Sequence, residues 1–272
     1  MWVLLTSGWS ASPSMTRVTN DPAVDLDATV LTLLDGLEAP DPAVRDEGST
    51  WPLIDLVTSG TLDDQRLRTL GESLVKRLEH PRVEARSFAA LVLAYVVRAG
   101  VEEPGWFSRF ARWYVTEREV TGYDPQRGWV HVVAHGADAL AAFGHTARRP
   151  RHVLDAAVER MLNPEPSVWR EQEDDRLGYA IAVTLANSQL SAEDAVAWLD
   201  PVRHAFAAGE PGPVPPFATN TMRTLRMVHL LIATRLLYAD TELSVSNAEA
   251  VREALADVLH VVTPWMWRAT RN

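Results

Sequence analysis

The chain contains no cysteine. That excludes disulfides, thiolate zinc sites, iron–sulfur clusters and cysteine nucleophiles, and it leaves the redox compartment undecided. Long apolar runs are missing too. The longest, Phe88 to Val97, has ten residues, about half of the ~20 that a membrane-spanning helix needs, and reads as a buried helix. No membrane partner is expected. Basic charge is in deficit, with 26 Lys and Arg against 36 Asp and Glu and a net charge of −10. A general nucleic-acid binder normally carries a basic face, so no nucleic-acid partner is expected either. Lys76 is the sole lysine, which reflects a GC-rich coding sequence rather than a function. Strand signals are weak: no Asn-Gly or Asp-Gly hairpin lies between alternating apolar segments. The chain has no P-loop, no GxGxxG and no GxSxG elbow, which argues against nucleotide kinases, Rossmann dehydrogenases and α/β-hydrolases. The N-terminus has no early basic residue, and Trp2 to Leu5 is too short for a signal peptide, so the expected location is cytoplasmic. Met15 is an alternative start.

What the chain has is helix. At 272 residues, 47% apolar and 23% charged, it has the composition of an ordinary globular protein and buries enough surface to fold without a staple. Apolar residues recur at three and four over 24–38, 42–58, 63–79, 82–98, 105–119, 126–143, 151–162, 168–188, 192–207, 218–239 and 247–261. Thr61 with Asp64, Ser191 with Asp194 and Ser246 with Glu249 have capping-box spacing. Pro52 falls inside the second helix and should kink or split it. Pro42, Pro81, Pro125 and Pro164 each precede or open a helix, at separations of 39, 44 and 39 residues, and Pro215-Pro216 is a candidate fifth member. A period near 40 built from helix pairs is the pattern of HEAT-type repeats. The expected fold is therefore all-α, a HEAT-like superhelix (α-solenoid) of about 11 helices, since such repeats bury their apolar faces only by stacking. The expected layout is a flexible segment over 1–22, one α-solenoid domain over 23–262 and a tail over 263–272.

The helices after these prolines should be equivalent and line one concave face. Their polar residues would then converge. In Gly128 to Asp138, His131, His135 and Asp138 fall within about a 60° arc of one helix. Two imidazoles and a carboxylate so placed are candidate ligands for one divalent transition metal. A metal-free polar site and a structural network remain open as alternatives. In Val168 to Leu185, Glu173 and Asp174 lie on the same side as the core residues Leu177, Ala180, Ile181 and Thr184. A carboxylate there must be paired or neutralised, and clustered buried ionisable groups are where chemistry becomes feasible; an ion-pair ladder between repeats is the bland alternative. Arg45, Arg86 and Arg176 are candidate partners or binders of an anionic group. Tyr123, in the polar loop before the histidine helix, and Trp129 are further candidates for substrate contact. Trp106, Phe107, Phe110, Trp113 and Tyr114 recur at helical spacing and read as core.

Four segments taken together, Asp41 to Glu47 (DPAVRDE), Ala85 to Ala94 (ARSFAALVLA), Arg127 to Leu140 (RGWVHVVAHGADAL) and Glu173 to Leu177 (EDDRL), resemble the bacterial family called domain of unknown function 2785. The likeness covers roughly residues 25 to 240, and its Gly-Trp-x-His segment is the most specific part. Where that family has an aromatic-flanked segment after the Arg-Asp-Glu stretch, this chain has Gly48 to Pro52. The resemblance implies an all-helical HEAT-like fold and no established activity.

Two functions follow from these residues. In one, the groove is an active site, that of a metal-dependent hydrolase or another small-molecule enzyme. His131, His135 and Asp138 hold the ion, Glu173 or Asp174 serves as further ligand or general base, and the arginines orient an anionic group; without metal, His135 would act as base, oriented by Asp138. In the other, the same groove is a non-catalytic binding or scaffold surface that holds a peptide or protein partner.

Overall fold

The computed structural model describes residues 25–266. The segment 1–22, and the tail from 267 onward, lie outside the described residues.

The architecture is all-α with two short hairpins. The chain runs through α1 (Leu26–Gly36), a π-helical segment (Ala43–Thr50), α2 (Trp51–Thr58), α3 (Asp64–Arg77), α4 (Val83–Arg98) and α5 (Trp106–Thr116). The strands β1 (Tyr123–Asp124) and β2 (Gly128–Trp129) follow, then α6 (Val132–Thr146), α7 (Pro150–Leu162), α8 (Glu173–Leu185), α9 (Asp194–Ala197), α10 (Asp200–Ala207) and α11 (Pro216–Ala233). The strands β3 (Leu236–Tyr238) and β4 (Thr241–Leu243), α12 (Ala248–Val262) and a 3-10 turn (Pro264–Met266) complete it.

Two rows of contacts organise these helices. In one row α2 packs on α4, α4 on α6, α6 on α8 and α8 on α11. In the other, α3 meets α5, α5 meets α7, α7 meets α10 and α10 meets α12. The helices that follow the periodic prolines therefore occupy the first row. Its core is the apolar run of α4, where Phe88 through Ala94, Val96 and Val97 are all buried. On α5, Trp106, Phe110, Trp113 and Tyr114 are buried and Phe107 packs against them, so the aromatic repeat is core, as its spacing implied.

Pro52 acts as expected, by a specific route. Proline offers no N–H and its ring crowds the carbonyl four residues earlier. The turns before it widen into a π-helix, with the Trp51 N–H donating to the Asp46 carbonyl five residues back. The Ser49 and Thr50 hydroxyls close onto Val44 O (2.8 Å) and Arg45 O (2.7 Å), also five residues back.

Of the expected caps, Ser191 accepts from the Asp194 N–H at 3.0 Å and donates back to its carboxylate. At α3 the cap is Asp63, accepting from Arg66 N at 2.8 Å, rather than Thr61; at α12 it is Asn247, without a side-chain bond, rather than Ser246. Three helix boundaries also need correction. The helix expected over 126–143 starts at Val132, because Tyr123 pairs with Trp129 and Asp124 with Gly128 in a hairpin. The one expected over 168–188 starts at Glu173. The one expected over 218–239 ends at Ala233, because Leu236–Tyr238 pairs antiparallel with Thr241–Leu243.

Candidate functional site

The first hairpin is pinned at the N-terminal ends of α4, α6 and α8. Arg45, fully buried in the π-helical segment, donates to the carbonyls of Arg127 (3.0 Å) and Trp129 (3.1 Å) and to Asp46 (2.8 Å). Its guanidinium also sits over the Phe88 ring at 4.7 Å. Ser87 of α4 donates its hydroxyl hydrogen to Val130 O and accepts from His135 Nδ1 at 3.0 Å. Since the serine hydrogen is spent on the carbonyl, the histidine hydrogen sits on Nδ1. The Gly122 carbonyl accepts from the Val130 N–H (2.9 Å) and the His131 N–H (3.0 Å).

These bonds force His131 into the left-handed region, at φ 48° and ψ 35°. It precedes α6 rather than belonging to it, so the expected i, i+4 helical pair of imidazoles does not form. The His131 ring instead lies on Trp129, with centroids 4.3 Å apart and planes 4° from parallel. Tyr123 meets Trp129 edge-on at 4.8 Å. Inward, His131 and His135 are 5.4 Å apart and His135 meets Phe88 at 4.8 Å. A continuous ladder of rings thus runs from exposed Tyr123 to buried Phe88. Burial pulls the His131 pKa down to about 3, with the Arg176 charge adding to it. Burial, then the neighbouring His131, Arg176 and Arg45, hold His135 well below the ordinary histidine range. Both imidazoles are neutral at pH 7.

The charged candidates are engaged with the protein itself. Asp138 is forked by Arg176 of α8 through both carboxylate oxygens. Arg86 donates to Glu117 (2.6 Å), His80 O (2.7 Å) and Pro81 O (3.0 Å). Glu173 is buried, accepts from the Glu171 N–H at 2.7 Å, and has its pKa raised chiefly by burial, against backbone hydrogen bonds that lower it. Asp174 is buried and ion-paired with Arg223 of α11; burial raises its pKa and Arg223 opposes the rise.

Several expectations change as a result. The metal set His131, His135 and Asp138 is not assembled, because His131 is off the helix, His135 is bonded to Ser87 and Asp138 is bonded to Arg176. Among the described residues no three His, Asp or Glu side chains are grouped to hold a metal ion. Arg45 and Arg86 are fasteners of the hairpin and of the α5 terminus, with no free fork for an anionic group. Glu173, Asp174 and His135 are each tied to a protein partner, the Glu171 N–H, Arg223 and Ser87 respectively. Recesses of about 350 Å³ along α1 and about 180 Å³ between α3 and α5 lie away from all of these groups.

Sequence reasoning missed the opposite edge of the same face. The β3–β4 hairpin lies against the C-terminal ends of α4 and α6 and the middle of α8. Tyr179 of α8 donates to Leu237 O at 2.7 Å, the Tyr238 ring is 4.4 Å from His145, and Arg98 of α4 lies 5.4 Å from the Tyr95 ring and 5.3 Å from that of Tyr238. A residue pair such as Ala239-Asp240 gives no strong turn signal, yet both adopt positive φ here. The two hairpins therefore contact the same three helices, α4, α6 and α8, one beside His131 and the other beside His145, about 20 Å apart along α6 at 1.5 Å per residue.

The sequence model described as Protein of unknown function (DUF2785) matches residues 74–232. The chain belongs to this family. The DUF2785 match includes α4, α6, α8 and the β1–β2 hairpin, and it leaves out both the π-helical segment that carries Arg45 and the β3–β4 hairpin. No curated protein and no solved structure matches the chain. Among the described residues no helix is long and apolar enough to cross a membrane.

Proposed function

We propose that this chain is a helical-repeat binding module, a single HEAT-like α-solenoid over residues 23–262 whose trough between the two hairpins holds a peptide segment of a partner protein. The two contact rows, α2, α4, α6, α8 and α11 on one side and α3, α5, α7, α10 and α12 on the other, support the repeat reading. One observation carries the functional reading. Asp138, Glu173, Asp174, Arg45 and Arg86, nominated for chemistry, are each bonded within the chain, while Tyr123 at the rim is 49% exposed. Aromatic side chains with an apolar body and a polar tip are what interfaces use as anchors. The net charge of −10 favours a protein partner over nucleic acid. Tyr123, Trp129 and the outward side of Arg176 are the proposed contacts.

Selection of binders to the full chain from a displayed random-peptide library tests this. The expected result is peptides whose affinity falls about tenfold with Tyr123→Ala, the usual scale for an aromatic anchor. Selected peptides indifferent to that change, or no selected peptides, would overturn it.

A further inference from the structure

Five carboxylates are buried among the described residues: Glu84, Glu117, Glu165, Glu173 and Asp174. Four of them have an arginine. Arg127 pairs with Glu84 (2.8 Å), Arg86 with Glu117 (2.6 Å), Arg160 with Glu165 and Arg223 with Asp174. Among the described residues Glu173, 1% exposed, has no such cation. Backbone N–H groups alone support it, that of Glu171 bonding its Oε2 at 2.7 Å. The basic side chains closest to it in sequence lie elsewhere: Arg176 forks Asp138, and Arg170 is exposed.

A carboxylate buried without a cation is costly, and its surroundings add to the cost. The start of α8 supplies about half a unit of positive charge, and Glu173, Asp174 and Asp175 all fall in that first turn. Among the described residues Asp124, Glu171 and Asp175 carry no ion pair, and Arg127 is shared between Glu84 and Glu119. The free oxygen of Glu173 faces the first hairpin. A Cβ on Gly122 would lie 2.3 Å from Glu173 Oε1 and 2.6 Å from Glu171 Cγ. Because glycine has no Cβ, the two acidic side chains meet there, beside the backbone that leads into β1.

The missing partner is a cation, and the geometry selects among cations. Among the described residues no three acidic or histidine side chains are grouped to hold a metal ion. A guanidinium donates in a fork and is best matched by two open oxygens, whereas Oε2 of Glu173 is already bonded. A lysine ammonium is a compact point charge at the end of a slim stem. It suits one open oxygen of Glu173 together with the half-buried carboxylate of Glu171. The chain's sole lysine, Lys76, is on α3, which packs on α4 and α5 rather than α8. The ammonium therefore comes from a partner.

We infer that the peptide held beside the first hairpin carries a lysine whose ammonium docks between Glu171 and Glu173, next to Gly122. The inference rests on the peptide-binding reading above and supplies the chemistry of one anchor.

The test is anisotropy of a fluorescein-labelled peptide repeating Ala-Lys-Gly, titrated with the full chain at about 0.15 M salt, where charges more than about 8 Å apart are largely screened. Two companions have every lysine replaced, one by acetyl-lysine and one by arginine. The lysine peptide is expected to saturate and to bind about tenfold or more tighter than the acetyl-lysine peptide, with the arginine peptide between them. Glu173→Gln, which keeps the shape and the acceptor for the Glu171 N–H, should lose about tenfold in affinity for the lysine peptide. Glu253→Gln, the same change of charge on the exposed side of α12, should lose none. Melting curves establish that the variants fold, and Glu171→Gln reads out the same loss should Glu173→Gln not fold. If acetyl-lysine or arginine serves as well as lysine, or if Glu173→Gln and Glu253→Gln act alike, the inference falls and the peptide-binding reading stands. The same holds if the lysine peptide fails while a library-selected peptide binds. If no peptide of any kind binds, both fall.

Discussion

The Trp129 indole and the His131 imidazole lie face to face, 4.3 Å between centroids and 4° from parallel. The contact joins the first hairpin to the start of α6 at a residue held in the left-handed region, where a side chain other than glycine costs of order 1–3 kcal/mol. The stack and the bond from His131 N–H to Gly122 O help offset that cost. The stack also hides the imidazole from water, which sets its titration.

Acid should therefore weaken the fold through the histidines. A histidine whose folded pKa lies below its unfolded value of 6.5 is protonated first in the unfolded chain, so stability present above pH 6.5 is lost as pH falls towards 3. Glu173 and Asp174 act in the other sense: raised above 4.5 and 3.8, they add stability that is complete at low pH and fades as pH rises through their folded values. The histidine part is isolated by comparing urea unfolding of wild type and His131→Asn, asparagine being tolerant of the left-handed region, from pH 7 to pH 4. The wild type should lose more stability over that interval than the variant; parallel slopes would refute the buried neutral imidazole.

Arg160 should be among the costliest positions to truncate. It is fully buried, donates to Tyr114 O (2.8 Å) and Glu117 O (2.9 Å) at the end of α5, and pairs with buried Glu165. Arg160→Ala strands that carboxylate and two carbonyls, and the expected loss is about 3–5 kcal/mol in chemical denaturation. Arg160→Met with Glu165→Gln should recover part of it, because no unpaired charge is then left inside.

Gly136 allows α6 to approach α5. A Cβ there would overlap the Tyr114 ring, whose hydroxyl is bonded to Val133 O at 3.0 Å. Gly136→Ala should cost about 1–3 kcal/mol. Tyr114→Leu in the same chain should make the alanine cheaper than the sum of the two single changes.

Much of this was legible in the sequence, for local reasons. The apolar run of α4, the proline period, the aromatic face of α5 and the disturbance at Pro52 are all set by neighbours within a turn or two. The hairpins were not legible, because strands of two and three residues are too short to show alternation, and Ala239-Asp240 lacks the glycine that marks a tight turn. His131 misled because its spacing to His135 fits a helix, whereas its backbone is fixed by Gly122, nine residues earlier. The fates of Arg45 and Arg176 depend on partners 84 and 38 residues away, and no periodicity reports that. Burial of Glu173 and Asp174 could be read from the helix face, but their partners could not.

Metal removal should change nothing. With Asp138 bonded to Arg176 and His135 bonded to Ser87, protein purified without a histidine tag should contain no stoichiometric transition metal, and a chelator should leave its melting temperature unshifted. One equivalent of metal, lost in His131→Ala, would contradict the geometry described.

The trough itself is most directly tested by hydrogen exchange of the full chain with and without a selected peptide. Binding between the hairpins predicts slowed exchange confined to residues 121–131 and 236–243 and α4, α6 and α8 beside them. Protection on the α3–α5 side, or along α1, with neither hairpin affected would contradict it.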